Sequence, residues 1–273
     1  MSSLPSLFLA HGAPDLPVSD HIAGRFLNGL SAQIERPSSI LVVSAHWEAA
    51  TATIGTKNSP DTVYDFAGFS PELYRLKYPT VSDSKLGCRV VELLKNAGFK
   101  TNSDPKRGYD HGVWVPLSMV FPEADIPVTQ LSLIRRDSPR THFELGKALA
   151  PLREEGVLII GSGAIVHNLR YLAQEGTSPM PWASDFQDWF KQKINARALN
   201  ELLDIPNAPT SARFAHPTLE HLMPVFVAMG AGWNGGENEL LHESYSYGSI
   251  SMASYAFGSH EELETLREGR SVA

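Results

Sequence analysis

Apolar residues along this chain come in short runs that stop abruptly at small or polar residues. Residues 4–10 end at His11-Gly12-Ala13-Pro14, and residues 39–44 end at Ala45-His46-Trp47-Glu48. Residues 126–133 and 156–160 have the same character, the second closing on Gly161-Ser162-Gly163. Their length and their content of leucine and β-branched residues predict strands. Residues 51–55 add a short one. The alternation of Tyr, Ser and Ala or Met over residues 244–255 predicts an antiparallel strand. Between these runs the spacing changes to that of helices, over residues 21–34, 84–97, 142–152, 185–203 and 218–229. In the second of these, Leu86, Val90, Val91, Leu93 and Leu94 share one face and Gly98 supplies the cap. The last follows His216-Pro217, with Pro217 at a position that suits helix initiation. Residues 233–239 read as a loop tip, and the charged tail after His260 as peripheral. Strands and helices alternate with no repeat and no linker. The expectation is one α/β domain over residues 1–273, with a central mixed, mostly parallel sheet flanked by helices.

Composition narrows the function. Apolar residues make up 42% of the 273 and charged residues 19%, which is a folding rather than a solvating chain. With 21 glycines and 19 prolines, shaped loops are expected, and loops are where sites are built. The formal charge of -7 and the shortness of the basic groups, Arg135-Arg136 and Lys191-Gln192-Lys193, argue against nucleic acid and anionic membranes as partners. Cys88 is the single cysteine, so no intrachain disulfide forms, and its helical setting reads as a small buried residue. No basic segment precedes a long apolar run, and no stretch approaches the roughly 18 apolar residues of a membrane span. The expected compartment is the cytoplasm.

The chemistry is carried by histidine. Of ten, His11, His46 and His167 each follow a strand-like run beside Gly, Ser or Ala. In open α/β sheets ligands bind beyond the carboxyl ends of strands, so parallel neighbours would bring these three into one crevice. Imidazole is neutral near pH 7 and suits Fe, Zn, Cu and Ni. His111, within Gly-Tyr-Asp-His-Gly-Val-Trp, and His216, before Pro217, complete a set of five. Any one histidine alone is more often a surface or hydrogen-bonded core residue, and His21, His142, His242 and His260 are read that way. His221 is intermediate, because five residues after His216 on a helix it would face another side. Glu220 is an alternative acidic ligand in a two-histidine, one-carboxylate triad, although a helix-start carboxylate in solvent is the simpler reading. No Cys-x-x-Cys, His-Glu-x-x-His, phosphate loop or nucleophile elbow is present. The Gly-Ser-Gly turn could bind an anion through backbone amides.

These segments, taken in order, resemble the LigB-type class III extradiol ring-cleavage dioxygenases, specifically the branch like DOPA 4,5-dioxygenase. The resemblance is carried by His11-Gly12-Ala13-Pro14, Ser44-Ala45-His46-Trp47-Glu48, and Tyr64-Asp65-Phe66-Ala67-Gly68-Phe69 with Glu72-Leu73-Tyr74 and Tyr78-Pro79. It continues through Gly108-Tyr109-Asp110-His111-Gly112-Val113-Trp114, Gly161-Ser162-Gly163 to His167-Asn168-Leu169, His216-Pro217-Thr218-Leu219-Glu220-His221, and residues 245–255. Each motif is weak alone, and the ordered set is specific. The resemblance implies a metal held by His11, His46 and His216. It implies His167 as a nearby base or additional ligand and His111 as a group that contacts substrate or donates a proton. Glu220 stays open as a rival ligand or a support to one. The metal would be Fe(II), with Zn(II) able to occupy the same site, and the substrates a small catechol and O2. Trp47, Tyr64, Phe66 and Trp114, with Phe69 and Tyr74, could line a pocket for a flat ring, although ordinary core packing should account for at least half of them. Two other functions compete: a Zn-dependent amidase or esterase on the same histidines, and a non-enzymatic binding protein on an inherited metal-binding fold.

Overall fold

The computed structural model describes residues 3–272. In chain order the elements are β1 (Ser6–Ala10), α1 (Ile22–Leu30), β2 (Ser39–Ala49), β3 (Ala52–Gly55), α2 (Ser84–Asn96), β4 (Thr101–Asp104), α3 (His111–Val120), β5 (Val128–Ile134), α4 (Pro139–Leu149), α5 (Pro151–Glu154) and β6 (Val157–Gly163). They continue with α6 (Pro181–Asn195), α7 (Leu199–Leu202), α8 (Ser211–Ala215), α9 (Met223–Gly232), β7 (Glu237–His242), β8 (Tyr245–Ser246), β9 (Ile250–Ser251), β10 (Ser254–Gly258) and α10 (His260–Val272).

Eight strands form one sheet in the order β4-β3-β5-β2-β6-β1-β10-β7. The four central strands β5, β2, β6 and β1 are mutually parallel. On one side β3 joins β5 antiparallel and β4 joins β3 parallel; on the other, β10 and β7 are antiparallel additions. The sheet is therefore mixed and mostly parallel, in line with the sequence. Its strands read as near-continuous apolar runs because both faces are covered. Side chains alternate between two cores. Phe8, Leu41, Val43 and Ile159 pack on one face with α2, α4, α6 and α9. Leu7, Leu9, Ile40, Val42 and Ile160 pack on the other with α1, α3 and α10. Among the described residues no helix is long and apolar enough to cross a membrane.

Several elements depart from the sequence reading. β7 occupies part of what read as a loop tip, and it is a half-buried edge strand rather than a core one. The charged tail forms α10, whose Leu263 and Leu266 are buried and whose Glu262 pairs with the buried Arg153. Cys88 is exposed, because α2 turns Leu86, Gly87, Val90 and Leu94 inward instead. The helix expected from Pro217 begins only at Met223, with Pro224 in its first turn, so residues 216–222 are a loop.

Gly161-Ser162-Gly163 is not an anion-binding turn. All three residues lie inside β6, paired to β1 and β2. The glycines serve close approach: a Cβ on Gly161 would stand 2.1 Å from the Pro224 carbonyl oxygen, and one on Gly163 would stand 2.2 Å from that of His221. The segment leading into α9 thus lies directly on the sheet. Gly163→Ala should push it off, costing about 1–3 kcal/mol of stability and loosening His221. Thermal unfolding with metal titration checks this; an unchanged Tm would show that the contact yields cheaply.

Candidate metal centre

The four parallel strands end on one edge of the sheet, and the histidines gather there. His11 directly follows β1. His46 lies in β2 within the irregular stretch between Val43 and Glu48, where the register with β5 shifts. Between these strands runs β6, which presents Ser162. His221 arrives from the loop before α9, set down on the sheet by Gly163. The Nε2 atoms of His11 and His46 are 3.1 Å apart, and those of His46 and His221 are 3.3 Å apart. Ligand atoms of all three residues fall within 4.8 Å of one another.

Each of these rings turns its other nitrogen toward an acceptor. The Ser162 hydroxyl donates to the Gly112 carbonyl at 2.5 Å, so it accepts from His11 Nδ1 at 2.9 Å. His221 Nδ1 faces the Glu220 carboxylate at 3.0 Å, and His46 Nδ1 faces that of Asp65 at 3.4 Å. An acceptor at Nδ1 places the hydrogen there and leaves Nε2 as a bare lone pair. Three lone pairs then converge with no proton to share between them. That arrangement is repulsive on its own and is relieved by a cation. Tetrahedral ligands at the usual Zn–N distance would stand about 3.3 Å apart, matching the separations here. The donor set therefore fits a metal ion.

Electrostatics agree. Burial and repulsion from the other histidines hold His11 and His221 well below the ordinary imidazole range. Burial, then the neighbouring His111, brings His46 down to about 4. His167 and His216 are also held to about 4, mainly by burial. All five are neutral at pH 7, as ligation requires. Burial opposes the Asp65 carboxylate, but the bond from His111 and the two nearby rings hold it down to about 2.

The sign of the pH effect follows. A histidine at about 4 folded and 6.5 unfolded takes up its proton first in the unfolded chain as pH falls. Stability is full above about 6.5 and is lost toward 4, by about 3 kcal/mol for one such group. Urea unfolding of the metal-free protein should show a marked drop between pH 7 and 5. A flat profile would mean the rings are not buried in neutral form.

The other site residues distribute as follows. His111 opens α3, after Asp110, and its ring lies 3.8 Å from that of His46 between centroids. His167 stacks on His221 at 3.5 Å, with the planes 10° apart. Glu220 lies within reach of both His167 and His221. Phe66 reaches His111 at 5.9 Å and forms one aromatic group with Tyr64, Trp114, Tyr74 and Phe69. Trp47 instead lies under the Arg107 guanidinium, 5.0 Å from its ring centroid.

His216 is the exception among the expected ligands. It caps the end of α8, packs 5.5 Å from the Phe186 ring, and donates from Nε2 to the Ile165 carbonyl at 2.6 Å. Its Nε2 is so used, and His216 lies outside every group of converging ligand atoms among the described residues. His221 takes that place. The sequence argument against His221 assumed a helix from Pro217, and the loop over residues 216–222 removes that assumption. Pro224, a second proline able to open a helix, was the signal pointing to the later start. Ser162 and Asp65 were also passed over as site residues.

A sequence profile described as the catalytic LigB subunit of aromatic ring-opening dioxygenase matches residues 20–258. The chain belongs to the LigB family. Among relatives of this family member, the 4,5-DOPA dioxygenase extradiol of Beta vulgaris is 40% identical over 263 residues, covering 93% of this chain and 96% of that one. The protein of the same name from Escherichia coli (strain K12) is 36% identical over 260 residues, covering 93% and 95%. The crystal structure of an uncharacterized protein from Escherichia coli K12 superposes with a TM-score of 0.79 at 33% identity, covering 93% of this chain and all of that one. This LigB-family chain is thus an extradiol ring-opening dioxygenase, with an aromatic substrate and O2 as its reactants.

Proposed function

We propose that the enzyme binds non-haem Fe(II) through Nε2 of His11, His46 and His221 and opens the ring of a small catechol. The observation that carries this is the trio of converging nitrogens, with Nδ1 of His11 and His221 hydrogen-bonded and Nδ1 of His46 facing a carboxylate at 3.4 Å. Zn(II) suits the same donors, but it has no redox chemistry. When bound, iron would supply coordination positions for the substrate oxygens and O2 and a route for electrons between them.

The chain's own residues supply the rest. His167, neutral at pH 7 and beside the Glu220 carboxylate, accepts the proton that a catechol hydroxyl gives up on binding. Its low folded pKa would rise once a catecholate charge lies near it, which improves it as a base. His111 donates Nδ1–H to Asp65 at 2.8 Å, which leaves Nε2 as the nitrogen that exchanges protons with substrate. Phe66, backed by Tyr64 and Trp114, offers an aromatic wall next to His111 on which a flat ring can pack. The Tyr64 hydroxyl is committed to the Leu76 carbonyl and the Trp114 indole to that of Val63, so these two shape the wall rather than bond a ligand.

Anaerobic purification, reconstitution with Fe(II) or Zn(II), and a panel of DOPA, caffeate and protocatechuate test this reading. Oxygen uptake matched by a yellow ring-opened product, with iron only, is the expected result. Oxygen-independent hydrolysis of amides or esters with zinc alone would replace it with the hydrolase.

A further inference from the structure

One carboxylate touches both parts of the centre. Asp65 Oδ1 accepts from the His111 backbone amide at 3.1 Å and from its ring Nδ1 at 2.8 Å. The other oxygen faces His46 Nδ1 at 3.4 Å. Asp65 belongs to residues 56–83, which carry no regular structure beyond a single 3-10 turn, Leu73–Arg75, and an isolated bridge from Thr62 to Tyr109. Its chain neighbours Tyr64 and Phe66 are the aromatic wall.

We propose that Asp65 is a positioning residue that fixes the tautomer of His46, orients His111, and clasps the aromatic wall onto the metal centre. The proposal rests on the ligand set given above. A carboxylate only accepts. His111, bonded to it, must therefore carry hydrogen on Nδ1, and the nearby negative charge favours the same tautomer in His46, which leaves both Nε2 atoms bare. A hydroxyl or an amide in its place would offer a hydrogen back to one of them. The same bonds tie Tyr64 and Phe66 to the centre through a side chain that lies between them in the chain. Wall and ligand are then placed by one group.

Asparagine separates this role from mere packing. Two donors of His111 converge on Oδ1, so the amide oxygen of Asp65→Asn stays there and its NH2 turns to His46. That NH2 favours the His46 tautomer with hydrogen on Nε2, whose lone pair faces away from His11 and His221. Asp65→Ala imposes no tautomer. The substitution closer in shape should thus do more harm.

Zinc affinity measured by chelator competition, and the His46 tautomer read from two-bond nitrogen–hydrogen correlation spectra of the metal-free protein, provide the test. Circular dichroism and thermal unfolding confirm that each variant folds. Asp65→Asn should bind zinc about 10- to 100-fold more weakly than the parent. Asp65→Ala should fall less, and only the asparagine variant should place the His46 hydrogen on Nε2. Parental affinity in Asp65→Asn, with His46 still protonated on Nδ1, overturns the proposal. His46→Ala keeps the two readings apart. Metal retained by that variant would remove the ligand set itself, whereas metal lost there but kept in Asp65→Asn would remove only the role of Asp65.

Discussion

Replacing His221 with alanine should abolish stable metal binding, while replacing His216 should leave it intact. Both residues lie in the same short segment, and both are buried. Their difference is one of direction. His221 Nε2 meets His46 Nε2 at 3.3 Å, whereas His216 Nε2 is spent on the Ile165 carbonyl. Zinc sites of four protein ligands gain about 10–16 kcal/mol, so loss of one ligand should cost about 3 kcal/mol, or more than about a hundredfold in affinity. His216→Ala instead strips the Ile165 carbonyl of its donor, at a cost to folding of about 1–3 kcal/mol. His216 has a structural task there. His167 N bonds the Ala215 carbonyl at 3.0 Å, so the two residues bind residues 165–167 to the end of α8. Metal content after dialysis, together with Tm, distinguishes the variants. Metal lost from His216→Ala but retained by His221→Ala would reverse the assignment.

His111→Ala should keep its metal and lose turnover. Its ring lies against His46 and groups with His46 and Asp65 in a neighbouring cluster of ligand-type atoms, but it contributes no atom to the trio of His11, His46 and His221, and Asp65 holds it from behind. Removing a proton donor or acceptor at a reacting group typically costs 10²–10⁴-fold in rate, roughly, and kcat should fall in that range. Circular dichroism should be unchanged, because Asp65 can still accept from the backbone amide of residue 111. Parental kcat in this variant would remove His111 from the chemistry.

The fold was legible where helices and strands have one face to bury. α2, with its periodic leucines and valines, lies within a residue of its expected span, and the strand runs before His11 and His46 are β1 and β2. Two helices were illegible for one reason. α3 is buried along its whole length except Ser118, and α9 is buried at every residue. A helix that is apolar all round has no polar face, so its period does not show in the sequence. These two helices border the site. His111 opens α3, and His221 lies two residues before α9. The hidden start of α9 is why the sequence places His221 on the wrong side of a helix, away from the strand ends. Asp65 was illegible for another reason: one carboxylate in an irregular segment has no period, and its role exists only once residues 56–83 lie over the strand ends.

Anomalous diffraction at the metal absorption edge, from crystals of the reconstituted enzyme, tests the centre most directly. One peak within bonding distance of Nε2 of His11, His46 and His221, with the Ile165 bond of His216 intact, is the predicted outcome. A peak bonded to His216, or one out of reach of His221, would contradict it.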